Sequence, residues 1–177
     1  VIIAAFIAGL SIGGFIISKY INKIKDLVAF TGYLETAIGL ISLIQLILAI
    51  LFLPELIEKR EISTTWAGIS IREYLFAFIF IQLPVILMGM TLPVIGRLYA
   101  RNMEDLGGKI GIIGMLDTAG SIAGSFMAGF IMLPLLGVTR SIIATALVNI
   151  ILGMLLLGFH PEKKIRFRRI LVPVIVL

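Results

Sequence analysis

The sequence predicts an all-α fold: a polytopic membrane bundle of five spanning helices and the start of a sixth. Three observations predict it. Of 177 residues, 60% are hydrophobic and 14% charged, with a mean hydropathy of +1.15, whereas a soluble domain is about half apolar and about a quarter charged. Apolar runs recur near the ~20 residues that cross a hydrocarbon core at ~1.5 Å per residue. The basic residues, finally, gather between alternate runs.

The spans are expected, in order, over 1–18, 27–53, 74–98, 110–136 and 141–159, with a sixth beginning near Ile170. Val1 already lies inside an apolar run, and the run after Ile170 stops short of a span. Residues 1–177 are therefore read as one transmembrane helical domain truncated at both ends. A signal peptide fits 1–18 poorly, because the positive charges follow the apolar stretch instead of preceding it.

Charge gives the orientation. Lys19, Lys23 and Lys25 follow the first span; Arg97, Arg101 and Lys109 lie between the third and fourth; Lys163, Lys164, Arg166, Arg168 and Arg169 follow the fifth. Only Lys59, Arg60, Arg72 and Arg140 fall on the other side. The basic excess faces the cytoplasm, so loops 19–26, 97–109 and 160–169 are expected there, with the cell membrane as the location. The long outer loop, 54–72, carries Trp66, a residue of membrane–water boundaries. Ser70 and Glu73 have capping-box spacing and are expected to start the third span.

Lipid gives helices little hydrophobic reason to associate, so close backbone approach and polar contacts must hold the bundle. Ala5, Gly9 and Gly13 form one stripe of small residues at every fourth position, and Gly120, Gly124 and Ala128 form another. Both are expected to face protein. Gln45, Gln82, Thr91 and Asn149 are expected to join helices. Pro84, Pro93 and Pro134 are expected to kink them.

Two acids stand inside apolar spans, Glu35 and Asp117. A charge at mid-bilayer costs about 2.5–3.5 kcal/mol on insertion scales, so such residues face cavities or partners. Counted from Asp26 and Lys109, both lie ~12–14 Å in from the basic side and can meet at one level. They are the candidates for a cation or proton site, with Tyr33 and Thr91 as further ligand candidates. The structural alternative is a neutral acid hydrogen-bonded by Tyr33, Thr36 or Thr118.

The composition also excludes. With no cysteine there is no disulfide framework and no thiolate metal site. His160 is alone; no Ser-His-Asp set, metal cluster or phosphate loop can be assembled. No metal, cofactor or catalytic residue is expected. The net charge of +5 is accounted for by orientation and not by nucleic acid.

Four stretches together resemble the membrane region of prokaryotic spermidine synthase-like proteins. They are 8–14 (AGLSIGG), 32–40 (GYLETAIGL), 88–93 (MGMTLP) and 116–121 (LDTAGS), the last followed by LPLLG at 133–137. The chain departs from the family pattern at Asp117, where Asn is usual, and at Gly114, where Tyr is usual. A more distant similarity is to half of a major facilitator transporter. The resemblance implies a membrane domain preceding a soluble polyamine aminopropyltransferase domain that is absent from this sequence, so the chain itself carries no transferase site. Three functions stay open: a domain that binds or transports a polyamine or other cation, a non-transporting anchor for the enzyme domain, and half of an unrelated secondary transporter. The expected partners are the bilayer, the cationic ligand, and the missing helices and soluble domain of the same polypeptide.

Overall fold

The computed structural model describes residues 2–58, 66–99 and 106–158, with side chains described over 2–52, 78–99 and 107–158. All regular structure among them is helical: α1 Ile2–Tyr20, α2 Leu27–Glu58, α3 Trp66–Tyr99, α4 Leu106–Phe126 and α5 Leu133–Gly158. A 3-10 turn, Ile21–Lys23, follows α1, and a π-helical turn, Met127–Met132, joins α4 to α5. Four segments are long and apolar enough to cross a membrane, the last of them the 52-residue run Gly107–Gly158. This marks an integral membrane protein of helical-bundle type.

Two interfaces build the body. The buried residues of α1 are Ala5, Gly9, Gly13 and Ile17, one per turn, and they face α3. A Cβ at Gly9 would meet Val85, and one at Gly13 would meet Ile86 and Gly89. The contacts rise together along both chains, so α1 and α3 run parallel. On the second interface Gly32 touches Gly153 and Leu157, and Gly39 touches Ala146 and Ile150. Here one number rises as the other falls, so α2 and α5 are antiparallel. Helix α2 also packs on α3, where the Gln45 side-chain amide donates to the Phe80 carbonyl.

The termini of the elements follow from local chemistry. Asp26 caps α2: its Oδ1 accepts the Ala29 N–H at 2.9 Å, which satisfies one of the orphan donors of the first turn. The start of α3 differs from expectation. The helix begins at Trp66, so Ser70 and Glu73 stand inside it and do not begin it. Likewise α2 continues through Pro54 to Glu58, past the expected start of the outer loop at Pro54. The remainder of that expected loop over 59–65, residues 100–105 and everything from Phe159 on, including His160, the last basic cluster and the expected sixth span near Ile170, lie outside the described residues.

The spans expected at 110–136 and 141–159 form one helical run with two irregularities. Pro134 lacks an N–H, and its ring would strike the Phe130 carbonyl in a regular helix. The turn before it is widened instead: the Leu133 N–H bonds to Ala128 O, five residues back, while the Phe126 and Phe130 rings stack 4.9 Å apart. Three residues past the proline, Gly137 has φ 74° and ψ 173°, a conformation open essentially to glycine alone. Helix α4 begins beside the end of α3, whereas α5 ends beside the start of α2. The chain therefore turns back between α4 and α5, at this break.

Candidate functional site

The acids are placed by different helices. Asp117 lies on α4, whose early turns meet the last turns of α3 in an antiparallel crossing. Between them is a cleft of about 480 Å³, open along one side, within the range of small-molecule pockets. Its walls are aliphatic: Leu92 and Ile95 from α3, Ile112, Ile113 and Leu116 from α4. Three polar groups interrupt them, Tyr99, Lys109 and Asp117. Tyr99 ends α3 and Lys109 lies in the first turn of α4, so both stand at the end of the cleft nearest those helix termini. Asp117 is eight residues, ~12 Å of helix, deeper.

Glu35 is elsewhere. It lies on α2 between Gly32 and Gly39, which touch α5, and it is half-buried. It is not among the groups that line the cleft, all of which come from α3 and α4. The two acids share a level in sequence, but this cleft contains only one of them.

The neighbouring threonine hydroxyls donate within their own helices. Thr36 donates its single proton to Gly32 O at 2.9 Å, and Thr118 donates to Gly114 O at 2.8 Å. Both bonds stay within the helix, a common arrangement for membrane Ser and Thr. Tyr33 is 45% exposed. Thr91 leans toward Leu87 O at 3.5 Å, one residue from the cleft wall but outside its lining.

The small-residue stripes have different surroundings. Ala5, Gly9 and Gly13 are buried against α3. Gly120 and Gly124 have nothing within 4 Å of a Cβ among the described residues, and Ala128 sits half-buried in the π turn. The reason is that α4 meets the body only near its start, leaving its later turns uncovered. Of the expected polar links, Gln45 and Gln82 both bridge helices. Gln82 Nε2 donates to Ala5 O at 2.8 Å, and its buried Oε1 has no conventional partner. That oxygen would stand 2.7 Å from a Cβ at Gly9, so in the wild type it rests against the glycine Cα–H, a weak donor.

Sequence reasoning missed the cleft itself. Leu92, Ile95, Ile112, Ile113 and Leu116 are indistinguishable from lipid-facing residues until α3 and α4 are docked. Lys109 was readable only as an orienting charge.

The fold and this cleft define a class: a helical membrane domain with a mostly aliphatic pocket that also holds Tyr99, Lys109 and Asp117, near the ends of α3 and α4 that carry Arg97 and Lys109. No family model, curated protein or solved structure matches the chain.

Proposed function

We propose that this is the membrane domain of a spermidine synthase-like protein, and that Asp117 holds the ammonium group of a cationic small molecule. The observation that carries the reading is the position of Asp117. It lines a mostly aliphatic cleft, and no other acid lines that cleft among the described residues. A carboxylate in a low-dielectric wall favours a cationic partner, and the resemblance names polyamines as the class of amine.

In this reading the chain crosses the membrane five times. The run Gly107–Gly158 has 52 residues, at ~1.5 Å each more than twice a ~30 Å hydrocarbon core, and Gly137 divides it. The basic end is cytoplasmic, in the cell membrane, and the architecture is distantly like half of a major facilitator transporter. The cleft then lies near the cytoplasmic face.

The test is binding of labelled amines, spermidine included, to the full chain in nanodiscs, compared with Asp117→Asn and Glu35→Gln. We expect Asp117→Asn to weaken amine binding at least tenfold. Equal binding by the wild type and both variants would remove the reading.

One observation favours an anchor function instead: Glu35 does not line the Asp117 cleft. A bundle that only holds a soluble aminopropyltransferase domain at its basic face needs no paired acids. It predicts that both amide variants leave amine binding, if any, unchanged.

A further inference from the structure

We infer that Glu35, with Asn149 and Thr91, forms a site for a small monovalent cation such as sodium. The site lies in the groove on α2 between α3 and α5, separate from the Asp117 cleft.

Helix α2 packs on two neighbours. Gly32, Thr36 and Gly39 face α5. Gln45 reaches Phe80 of α3, and Ile38, one heptad before Gln45, lies on the same stripe and is 2% exposed. Three residues of α-helix swing the side-chain direction by about 60°. Glu35 therefore stands midway between Gly32 and Ile38, where the α5 face gives way to the α3 face. Asn149 borders the same groove from α5. It follows Ala146 by three residues, as Glu35 follows Gly32, and in an antiparallel pair equal steps along the two sequences lead to the same edge. Gly32 faces Gly153 and Gly39 faces Ala146, which sets Glu35 within one residue of Asn149 in height. Thr91 comes from α3. Helix α2 starts just past the end of α1, which parallels α3, and Gln45 meets Phe80 farther back on α3, so α2 and α3 are antiparallel. Ten residues before Gln45 thus match ten after Phe80, beside Thr91. Thr91 is also three turns past Phe80, on the side of α3 that faces α2.

All three residues are half-buried. Among the described residues the Glu35 and Asn149 side chains make no hydrogen bond or ion pair. Thr91 has the 3.5 Å approach to Leu87 O, too long for a firm bond. The stretches 78–96 of α3 and 141–158 of α5 carry no charged side chain, so neither of them supplies Glu35 with a counter-charge. Polar groups left unpaired inside a membrane are costly. A carboxylate, an amide carbonyl and a hydroxyl are hard oxygen donors, which suit hard cations, and the Glu35 carboxylate balances a single positive charge. The depth agrees. Glu35 is ~13 Å along the helix from Asp26, near the middle of a ~30 Å core, where secondary transporters hold coupling ions on oxygen ligands.

The experiment measures saturable binding of radioactive sodium ion to the full chain in nanodiscs, with choline replacing sodium in the blank. We expect the wild type to bind, Glu35→Gln to abolish the signal, and Thr91→Val and Asn149→Ala each to weaken it at least tenfold. Asp117→Asn should bind sodium as the wild type does, so this site and the amine site can each fail alone. Unlabelled sodium should displace the label more effectively than calcium. Absence of saturable binding by the wild type, or unchanged binding by Glu35→Gln, overturns the site. Loss of binding in Asp117→Asn with Glu35→Gln intact puts the ion in the other cleft and overturns it equally. Wild-type affinity in both Thr91→Val and Asn149→Ala removes the site as placed, and stronger competition by calcium overturns the class of ion. Circular dichroism verifies the helices of each variant; if Glu35→Gln loses them, the affinities of Thr91→Val and Asn149→Ala decide.

Discussion

A methyl group at Gly13 would meet the Ile86 carbonyl and the Gly89 backbone, and backbone cannot step aside as a flexible side chain can. Gly89 in turn faces the backbone of Leu10. The two glycines make a place where α1 and α3 touch main chain to main chain, the kind of approach that holds helices together in lipid. Gly9 serves a different purpose, since it admits the Gln82 side chain, whose amide bonds to Ala5 O. These sites predict unequal costs. Gln82→Leu removes one interhelical bond, worth about 0.6 kcal/mol and at most about 1.7 in comparable membrane cycles. Gly13→Ala forces the helices apart and should cost more, about 1–3 kcal/mol, as overpacking does in a close-packed interior. Unfolding of the chain in mixed detergent micelles measures both. A Gly13→Ala protein as stable as the wild type would mean that α1 and α3 do not meet at this face.

Among the elements, the segment from α4 to α5 carries the main departure from regularity. Pro134 widens the turn before it, and Gly137 closes the helix in a backbone state that other residues reach only at a cost of about 1–3 kcal/mol. Gly137→Ala should therefore lower stability by about that amount or straighten the turn and pull α5 from α2. The distance between spin labels at Leu136 and Leu48 distinguishes the two results: unchanged with reduced stability, or lengthened. The same segment shows what a sequence can and cannot reveal. Apolar length and the alternation of charge were enough to find α1, α2, α3 and the two halves of the last run. The stripe of Ala5, Gly9 and Gly13 could be read as a packing face because its spacing matches the helix repeat. The stripe of Gly120 and Gly124 has the same spacing but nothing beside it among the described residues, because spacing specifies a flat face and not its partner. The cap at Ser70 was misplaced for a related reason. The pattern of Ser70 and Glu73 is local, and the preceding residues 66–69 continue the helix regardless. For the candidate site, the rarity of acids in apolar runs was sufficient to mark Glu35 and Asp117. Which of them meets a cavity depends on how α3 docks against α4, and that is a tertiary fact.

On the scale of the whole molecule, packing fixes where the ends of the helices lie without reference to charge. Helices α1 and α3 are parallel, so Lys19 and Arg97 fall at the same end. Helix α4 starts beside Tyr99, which brings Lys109 to that end too. Helix α5 runs antiparallel to α2, so its start, with Arg140, lies at the opposite end. Among the described residues, Lys19, Arg97 and Lys109 thus lie at one end and Arg140 at the other, as the alternation along the sequence expects. Large apolar side chains remain outside on every helix, among them Ile3 at 75%, Leu51 at 62%, Ile79 at 69%, Phe130 at 72% and Val148 at 63% exposure; water would not tolerate so continuous an apolar surface, and lipid does. The chain has no cysteine, so single cysteines report topology without background. Ser18→Cys, Arg97→Cys and Gly108→Cys, each exposed in the fold, should react with a membrane-impermeant maleimide only from the cytoplasmic side of sealed vesicles. Arg140→Cys should react only from the other side. Labelling of Arg140→Cys from the same side as Ser18→Cys would show that the run after Lys109 does not cross and return, and the turn at Gly137 would then have to lie within one side of the membrane.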